Sequence, residues 1–356
     1  MDEHGGNIEK AAEEYHLRSN EVIDFSANIN PLPLPLSVKE AITRALTHSD
    51  RYPDPEYSAL RKDLANFYQV KPRNMLVDNG SVALIHLIPR ALGLKRPLVP
   101  LPAFSEYEKA ARLCAGCPRF IEPRNDFTPD IDKLFKELKK SDSLWLCNPN
   151  NPTGLMLERK DVSRIARKAG AENVTVILDE VFMEFTRNPQ EDTFIREAQK
   201  LPNLIVLRSM TKFFGLAGLR LGLSVSGASI IRQLRKCQAP WAVNSLASAA
   251  ARVLIKDEAY INNSYKAIGR EAEFLFGSLA AFGSLEVYKP AANFIFCKIR
   301  SKNTHSVMLR QVLAKKGILI RDCANFRGLN NKFFRVAVRM RPHNLKLLAA
   351  LKEVLG

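Results

Sequence analysis

No uninterrupted apolar run in this 356-residue sequence approaches the ~18–20 residues that a membrane-spanning helix needs. The N-terminus has neither a basic segment nor an apolar stretch, so we expect no signal peptide. Cysteine is scarce: of the six, only Cys114 and Cys117 have the CxxC spacing of zinc ligands, and no second pair completes a site. These absences predict a cytoplasmic protein with reduced thiols, no membrane association and no metal.

Acidic residues are fewer than basic ones, 37 against 53, which gives a net charge of +16. A charge of this size attracts polyanions and leaves open a nucleic-acid-binding protein on an inactivated enzyme scaffold. Lysine and arginine are nevertheless spread along the whole chain, and neither tail is of low complexity. A basic enzyme with anionic small-molecule substrates accounts for the same charge, and we predict no nucleic-acid partner.

Short apolar runs alternate with helix-like stretches through most of the chain. This alternation predicts a doubly wound, mostly parallel sheet covered by helices on both faces, which is an α/β fold. Ligands of such sheets bind beyond the carboxyl ends of the strands, so the residues that follow each run are the candidates for a site. The predicted strands are Met75–Val77, Pro97–Leu101, Leu144–Cys147, Val174–Leu178, Leu204–Leu207 and Leu219–Val225.

The pattern changes from about Glu258, where a long helical stretch is followed by further apolar runs and a last helix that ends at Leu355. This part predicts a smaller α+β domain. Near the N-terminus, a proline-rich run up to Pro35 suits an extended arm better than a helix. The predicted division is an arm over residues 1–40 that packs on the small domain and the active site, a large domain over 41–257 and a small domain over 258–356.

A single lysine, Lys212, follows the apolar run Leu204–Leu207 after a short gap. The small hydroxyl side chains of Ser209 and Thr211 lie beside it, and Arg220 follows eight residues later. Such an arrangement suits a lysine whose amine bonds an aldehyde while its neighbours hold a phosphate. Pyridoxal phosphate offers both groups, and the sequence predicts it as the cofactor.

Asp179 follows the apolar run Val174–Leu178 directly. A carboxylate there can cap a helix, bind a metal or pair with a ring nitrogen. Because Lys212 comes after the next strand, 33 residues later, the ring-nitrogen interpretation is favoured. An ionised Asp179 would keep a pyridine nitrogen protonated, so that the ring can accept electrons from a substrate.

A helix is predicted to begin at Gly80, Ser81 and Val82, immediately after a short strand. The first N–H groups of a helix have no partner within the helix and form a ready site for a phosphate. Arg220 would add charge-assisted hydrogen bonds to the same group.

Together these motifs resemble those of fold-type I pyridoxal-phosphate enzymes over nearly the whole chain. The run Asn148–Gly154 is similar to the NPTG element of that family. The resemblance implies that Lys212 carries the cofactor, that Asn151 donates to its phenolic oxygen and contacts the substrate, and that Phe104 stacks on its ring. It also implies that Tyr52 reaches the cofactor phosphate of a neighbouring subunit, and hence a homodimer.

One position departs from the aminotransferase pattern, which usually has a tyrosine where this chain has Phe182. In having phenylalanine at this position, the chain resembles the threonine-phosphate decarboxylases of cobalamin biosynthesis. This group is close to the histidinol-phosphate aminotransferases. Four further segments resemble the decarboxylase group. These are His4–Ile8, Asp24–Leu32, Ile320–Leu329 and Arg335–Arg339.

The resemblance implies a phospho-amino-acid substrate. It assigns Asn28 and Arg335 to the carboxylate of the substrate, and it assigns His4, the Gly5 backbone and Arg321 to the phosphate. The implied reaction is decarboxylation of L-threonine O-3-phosphate. A preference for serine phosphate stays open, because one methyl group changes binding by only ~1–3 kcal/mol. A histidinol-phosphate aminotransferase is the alternative.

Overall fold

A computed structural model describes residues 5–356, and the element bounds are those of this part of the chain. The helices α1 to α13 are Ile8–Glu14, Leu36–Leu46, Ser58–Phe67, Gly80–Leu92, Ser105–Leu113, Ile131–Leu138, Arg159–Ala171, Pro189–Asp192, Ala228–Cys237, Ser245–Leu254, Glu258–Ala280, Ser306–Ala314 and Arg341–Leu355. The strands β1 to β13 are Ile23–Asp24, Met75–Asp78, Pro97–Pro100, Arg119–Ile121, Ser143–Cys147, Thr175–Asp179, Leu204–Ser209, Gly222–Val225, Leu285–Tyr288, Phe294–Ile299, Ile318–Leu319, Arg321–Asp322 and Phe333–Ala337. No helix among the described residues has both the length and the apolar character needed to cross a membrane.

The larger sheet has the strand order β2-β8-β7-β6-β5-β3-β4. Its neighbours are parallel except β8, which is antiparallel to both β2 and β7. Side chains alternate along each strand: Ile177 and Ile205 enter one apolar cluster, whereas Val176 and Leu178 enter another on the opposite face. Helices α4, α5 and α9 contribute to the first cluster, and α3, α7 and α10 to the second. The doubly wound, mostly parallel sheet predicted from the sequence is confirmed.

The predicted strand Leu219–Val225 is wrong at its start, because β8 begins only at Gly222. The backbone N–H groups of Leu219 and Arg220 both donate to the carbonyl of Leu216, which closes a turn. Arg220 also has a left-handed backbone, with φ of 58°. The turn brings the Arg220 side chain to the cavity described below, whereas a continuous strand would have carried it along the sheet.

The smaller sheet has the order β12-β13-β10-β9 and is antiparallel throughout. Helices α11, α12 and α13 pack on it around a second apolar core. Helix α11 contacts both parts of the molecule, because Ile268 enters the core of the large sheet and Leu275 enters that of the small sheet. The boundary between residues 257 and 258 stays a prediction.

The N-terminal arm contains a short helix, which was not predicted, before the proline-rich run, and that run has no helix up to Pro35. Helix α1 begins after Asn7, whose side chain accepts the backbone N–H of Lys10 at 3.1 Å. Ala11 packs against Ala314 and Leu319 of the smaller part. Strand β1 then pairs in parallel with β11, so the arm is anchored there by hydrogen bonds and by apolar contact.

Candidate active site

A cavity of about 410 Å³ lies at the carboxyl ends of β5, β6 and β7, between the large sheet and the small one. The arm, the large sheet and the small sheet all contribute to its walls. Most of the residues predicted from the sequence line it. They are Gly5, Asn28, Ser81, Val82, Phe104, Asn151, Asp179, Ser209, Thr211, Lys212, Arg220, Arg321 and Arg335.

Lys212 lines this cavity and is partly buried. Burial lowers the pKa of its amine to about 8, and the positive charges of Arg335 and Arg220 act in the same direction. The backbone is fixed as well, since the Lys212 carbonyl accepts the N–H of Asn30 at 2.9 Å. An amine with this pKa is neutral in a sizeable fraction of molecules near neutral pH, which allows it to attack a carbonyl carbon.

Asp179 ends strand β6 and is 3% exposed. One carboxylate oxygen accepts the Val181 N–H at 3.1 Å, and the other accepts the hydroxyl of Tyr107 at 2.5 Å. Burial raises the pKa of Asp179, while the Tyr107 hydroxyl, the Val181 N–H and the Lys212 charge oppose the rise. Sequence reasoning missed Tyr107, which lies in the first turn of helix α5, three residues after the N-cap residue Phe104.

The N-terminus of helix α4 forms one end of the cavity. Gly80 does not line the cavity; a Cβ atom there would lie 2.7 Å from a guanidinium nitrogen of Arg220, so glycine leaves room for that side chain. A Cβ atom on Gly222 would overlap the Ser81 nitrogen and lie 2.5 Å from the Gly80 carbonyl carbon. The close backbone approach, the helix N-terminus and Arg220 together form a site that fits a phosphate group.

Arg321 and Arg335 lie directly opposite each other on the antiparallel strands β12 and β13, and both line the cavity. Both are buried, and burial lowers the pKa of each guanidinium, that of Arg335 to about 10. Directly facing like charges destabilise a sheet. A ligand with two negative groups would relieve this repulsion.

Two buried atoms beside this pair also call for a ligand. Counting only residues 5–356, Arg335 Nε and Asn28 Oδ1 have no hydrogen-bond partner. The other nitrogens of Arg335 donate to Asn151 Oδ1 and, at 3.2 Å, to the Ser26 carbonyl. The contact with Arg335 uses the oxygen of Asn151 and leaves its amide N–H groups to donate.

The arm is held at the cavity by contacts that sequence reasoning did not identify. Asp24 Oδ1 accepts the Ser26 N–H at 2.7 Å and the Ser26 hydroxyl at 2.6 Å. Ser26 Oγ in turn accepts the Gly6 N–H at 2.8 Å, and a Cβ atom on Gly5 would lie 2.6 Å from the Ser26 carbonyl. Arg339 Nε donates to the Asp24 carbonyl at 2.7 Å. These contacts give a physical reason for Asp24 and Ser26 in the segment Asp24–Leu32.

Besides Gly80, Tyr52 is a predicted residue that the structure does not bring into the cavity. Tyr52 is 80% exposed and stacks on Trp241, with 4.4 Å between the ring centroids. His4 lies outside the described residues. Within residues 5–356, no group of three His, Cys, Asp or Glu side chains is arranged to hold a metal ion.

The family model described as aminotransferase class I and II matches residues 20–351 of the chain. The chain belongs to this family. The family assignment confirms the fold type and the enzyme class predicted from the motifs.

Similar proteins carry two different activities in their names. The chain is 37% identical over 356 residues to the threonine-phosphate decarboxylase of Salmonella typhimurium. The match covers 99% of this chain and 96% of that protein. The L-threonine-O-3-phosphate decarboxylase of Porphyromonas gingivalis has a similar structure, with a TM-score of 0.82, 26% identity and coverage of 93% and 98%. The histidinol-phosphate aminotransferase of Clostridium acetobutylicum matches with a TM-score of 0.87, 31% identity and the same coverage.

The chemistry of the cavity fits pyridoxal phosphate, which is the cofactor of this enzyme. Lys212 would offer its amine to the aldehyde, and the buried carboxylate of Asp179 would pair with the ring nitrogen. The N-terminus of α4 and Arg220 would donate to the phosphate. Phe182 is 3% exposed and packs edge-on against Phe294, so this position offers no hydroxyl to the cofactor.

Proposed function

We propose that this enzyme is a lyase that decarboxylates L-threonine O-3-phosphate with pyridoxal phosphate. The product would be (R)-1-amino-2-propanol O-2-phosphate, for cobalamin biosynthesis. The observation that carries the substrate class is the facing pair of Arg321 and Arg335, because threonine phosphate has a carboxylate and a phosphate on adjacent carbons. The similarity to the threonine-phosphate decarboxylase of Salmonella typhimurium supports the same assignment.

In this proposal the two ends of the substrate bind to different residues. Arg335 and Asn28 bind the carboxylate: Arg335 donates through Nε, which has no partner within residues 5–356, and Asn28 donates through its side-chain amide N–H. Arg321, together with the Gly5 backbone and His4, binds the phosphate. Arg321 is held for this task by Asn325, whose side-chain oxygen accepts from it at 2.9 Å.

Lys212 would attach the cofactor covalently, Asp179 would pair with its ring nitrogen, and Asn151 would donate to its phenolic oxygen. Ser81, Val82, Ser209, Thr211 and Arg220 would hold its phosphate, and Phe104 would pack on its ring. When bound, pyridoxal phosphate supplies an electron sink for the electron pair of a bond broken at the substrate α-carbon. Lys212 can carry a proton at Nζ close to that carbon, since its pKa of about 8 permits both protonation states.

The residues that hold the carboxylate select the bond that breaks. Only a bond perpendicular to the conjugated ring can release its electrons into it, so the orientation of the carboxylate decides between loss of CO₂ and loss of a proton. Arg335 is fixed from two sides by Asn151 and by the Ser26 carbonyl of the arm. We therefore assign the choice of reaction to Arg335 and the arm.

A histidinol-phosphate aminotransferase is the second candidate, favoured by the structural similarity to the Clostridium acetobutylicum enzyme. Its amino-acceptor half-reaction also requires a dianionic ligand, which the arginine pair could bind. The absence of a hydroxyl at Phe182 and the arm contacts of Ser26 with Gly6 favour the decarboxylase.

We further propose that the enzyme is a homodimer in which Tyr52 of one subunit completes the cofactor phosphate site of the other. The exposed stack of Tyr52 on Trp241, outside the cavity of its own chain, is compatible with contact to a partner. The division into an arm, a large domain and a small domain at residues 40 and 257 belongs to the same proposal.

The proposed reaction is tested by incubating the cofactor-loaded enzyme with threonine phosphate in the absence of any 2-oxo acid. We expect many turnovers of CO₂ with an equal amount of amine product, and none with the Lys212→Ala variant. Serine phosphate measured in parallel decides the preference for the methyl group. Glutamate formation from histidinol phosphate and 2-oxoglutarate, without CO₂ from threonine phosphate, would establish the aminotransferase instead.

A further inference from the structure

Tyr107 connects the two groups that face the cofactor ring. Its side chain is 1% exposed, and its hydroxyl donates to Asp179 Oδ2 at 2.5 Å. The Tyr107 ring packs edge-on against Phe104, with centroids 5.9 Å apart, and lies 5.3 Å from the ring of Trp145. One buried residue thus contacts both the aromatic ring and the carboxylate assigned to the cofactor.

The hydrogen bonds of Asp179 leave its carboxylate little freedom to rotate. Val181 N–H occupies Oδ1 and the Tyr107 hydroxyl occupies Oδ2, so each oxygen keeps a lone pair for a third donor. Burial raises the pKa of Tyr107 well above its ordinary value, and the phenol therefore remains a donor at every working pH. Among the groups that oppose the raised pKa of Asp179, the Tyr107 hydroxyl has the largest effect.

We propose that Tyr107 is a positioning residue that holds Asp179 oriented and ionised toward the ring nitrogen of the cofactor. The inference rests on the proposed function, since it takes pyridoxal phosphate as the cofactor. Tyr107 acts through Asp179: without its hydroxyl the carboxylate is more easily protonated, and a neutral carboxyl group pairs more weakly with a protonated ring nitrogen.

The test uses the full-length Tyr107→Phe variant, which keeps the ring contacts with Phe104 and Trp145 and removes only the hydroxyl. Dissociation constants are measured for pyridoxal phosphate and for its 1-deaza analogue, in which carbon replaces the ring nitrogen. We expect pyridoxal phosphate to bind about tenfold more weakly to the variant than to the wild type, because the Asp179 carboxylate is then less fully ionised. The analogue should bind equally to both, because it has no nitrogen for Asp179.

Tyr68→Phe is the matched control. Tyr68 is also buried and donates to a carboxylate, that of Glu184 at 2.9 Å, but it does not line the cavity. We expect this variant to bind both compounds like the wild type. An equal loss of affinity for both compounds in Tyr107→Phe would overturn the inference in favour of a packing role, and no loss for either would overturn it outright. A wild-type protein that binds neither compound would overturn the proposed function as well.

Discussion

At the scale of single residues, the electrostatics of Lys212 links the chemistry of the site to the stability of the cofactor-free protein. The folded chain has a pKa of about 8 at this amine, against 10.5 for an ordinary lysine. Below pH 8 both folded and unfolded chains hold the proton, and the partly desolvated charge of Lys212 destabilises the fold. Between pH 8 and 10.5 only the unfolded chain still holds it, so the contribution of Lys212 to the free energy of unfolding rises with pH.

We therefore expect Lys212→Met to stabilise the cofactor-free protein at pH 7 by up to about 3 kcal/mol. The gain should shrink as the pH approaches 10.5, because the wild-type lysine is then neutral in both states. Urea unfolding at pH 7 and pH 9.5 measures both effects, with the exposed Lys71→Met as the control. A gain that is the same at both pH values would contradict the assigned pKa.

The facing arginines lead to a second prediction at this scale. Arg321→Met removes the like charge opposite Arg335, so the ligand-free protein should keep its stability or gain some. The same variant loses charge-assisted hydrogen bonds to the substrate phosphate, and we expect KM for threonine phosphate to rise roughly 100-fold.

The exposed Arg300→Met is the control for general loss of positive charge. Steady-state kinetics with threonine phosphate and thermal unfolding of both variants are the measurements. An unchanged KM for Arg321→Met would remove Arg321 from the phosphate site.

At the scale of secondary-structure elements, strand β8 and helix α4 meet through Gly222. Any side chain there would push against the backbone at Gly80 and Ser81, where the cofactor phosphate is proposed to bind. We expect Gly222→Ala to weaken binding of pyridoxal phosphate by about tenfold or more, since overpacking at such a contact typically costs ~1–3 kcal/mol.

Gly218→Ala is a suitable control, because a Cβ atom on Gly218 would meet nothing within 4 Å. Cofactor titration followed by absorbance compares the two variants. Equal affinities would show that the helix N-terminus tolerates displacement, and the assignment of Ser81 and Val82 to the phosphate would fail.

The sequence predicted the positions of strands and helices along the chain better than it predicted which residues contact each other. Apolar runs located β5, β6 and β7 within one or two residues, because buried parallel strands are apolar on both faces. The start of β8 was wrong, since the turn at Arg220 depends on hydrogen bonds that no apolar pattern reveals. Helix α1 was missed because it is short and packs with only a few small residues of the smaller part.

The site shows the same limit. Lys212 and Asp179 were predicted because each follows a strand and has a chemistry that few other roles require. Tyr107 and Arg339 were not, because their partners, Asp179 and the Asp24 carbonyl, lie far away in sequence. The pairing of Arg321 with Arg335 likewise depends on strand register, which the sequence alone does not supply.

At the scale of the whole molecule, the cavity combines residues from the arm, the large sheet and the small sheet, and the proposal adds Tyr52 of a second subunit. The net charge of +16 is compatible with a doubly anionic substrate and a phosphorylated cofactor. These two ligands explain the charge without a nucleic-acid partner.

Shared sites predict complementation between two inactive variants. In a mixed dimer of Tyr52→Ala and Lys212→Ala chains, one site receives both intact residues and the other receives neither. After unfolding and refolding together in equal amounts, we expect about a quarter of the wild-type activity, because half of the dimers are mixed. Activity no higher than the sum of the two separate variants would contradict the placement of Tyr52 in the partner's site.

The most direct test of the central claim compares two reactions in one preparation of the cofactor-loaded enzyme. The quantities are kcat/KM for CO₂ release from threonine phosphate and kcat/KM for amino transfer from histidinol phosphate to 2-oxoglutarate. We predict that the first exceeds the second by at least about 100-fold, which corresponds to roughly 3 kcal/mol of differential transition-state binding. A faster amino transfer would contradict the account and make the enzyme an aminotransferase.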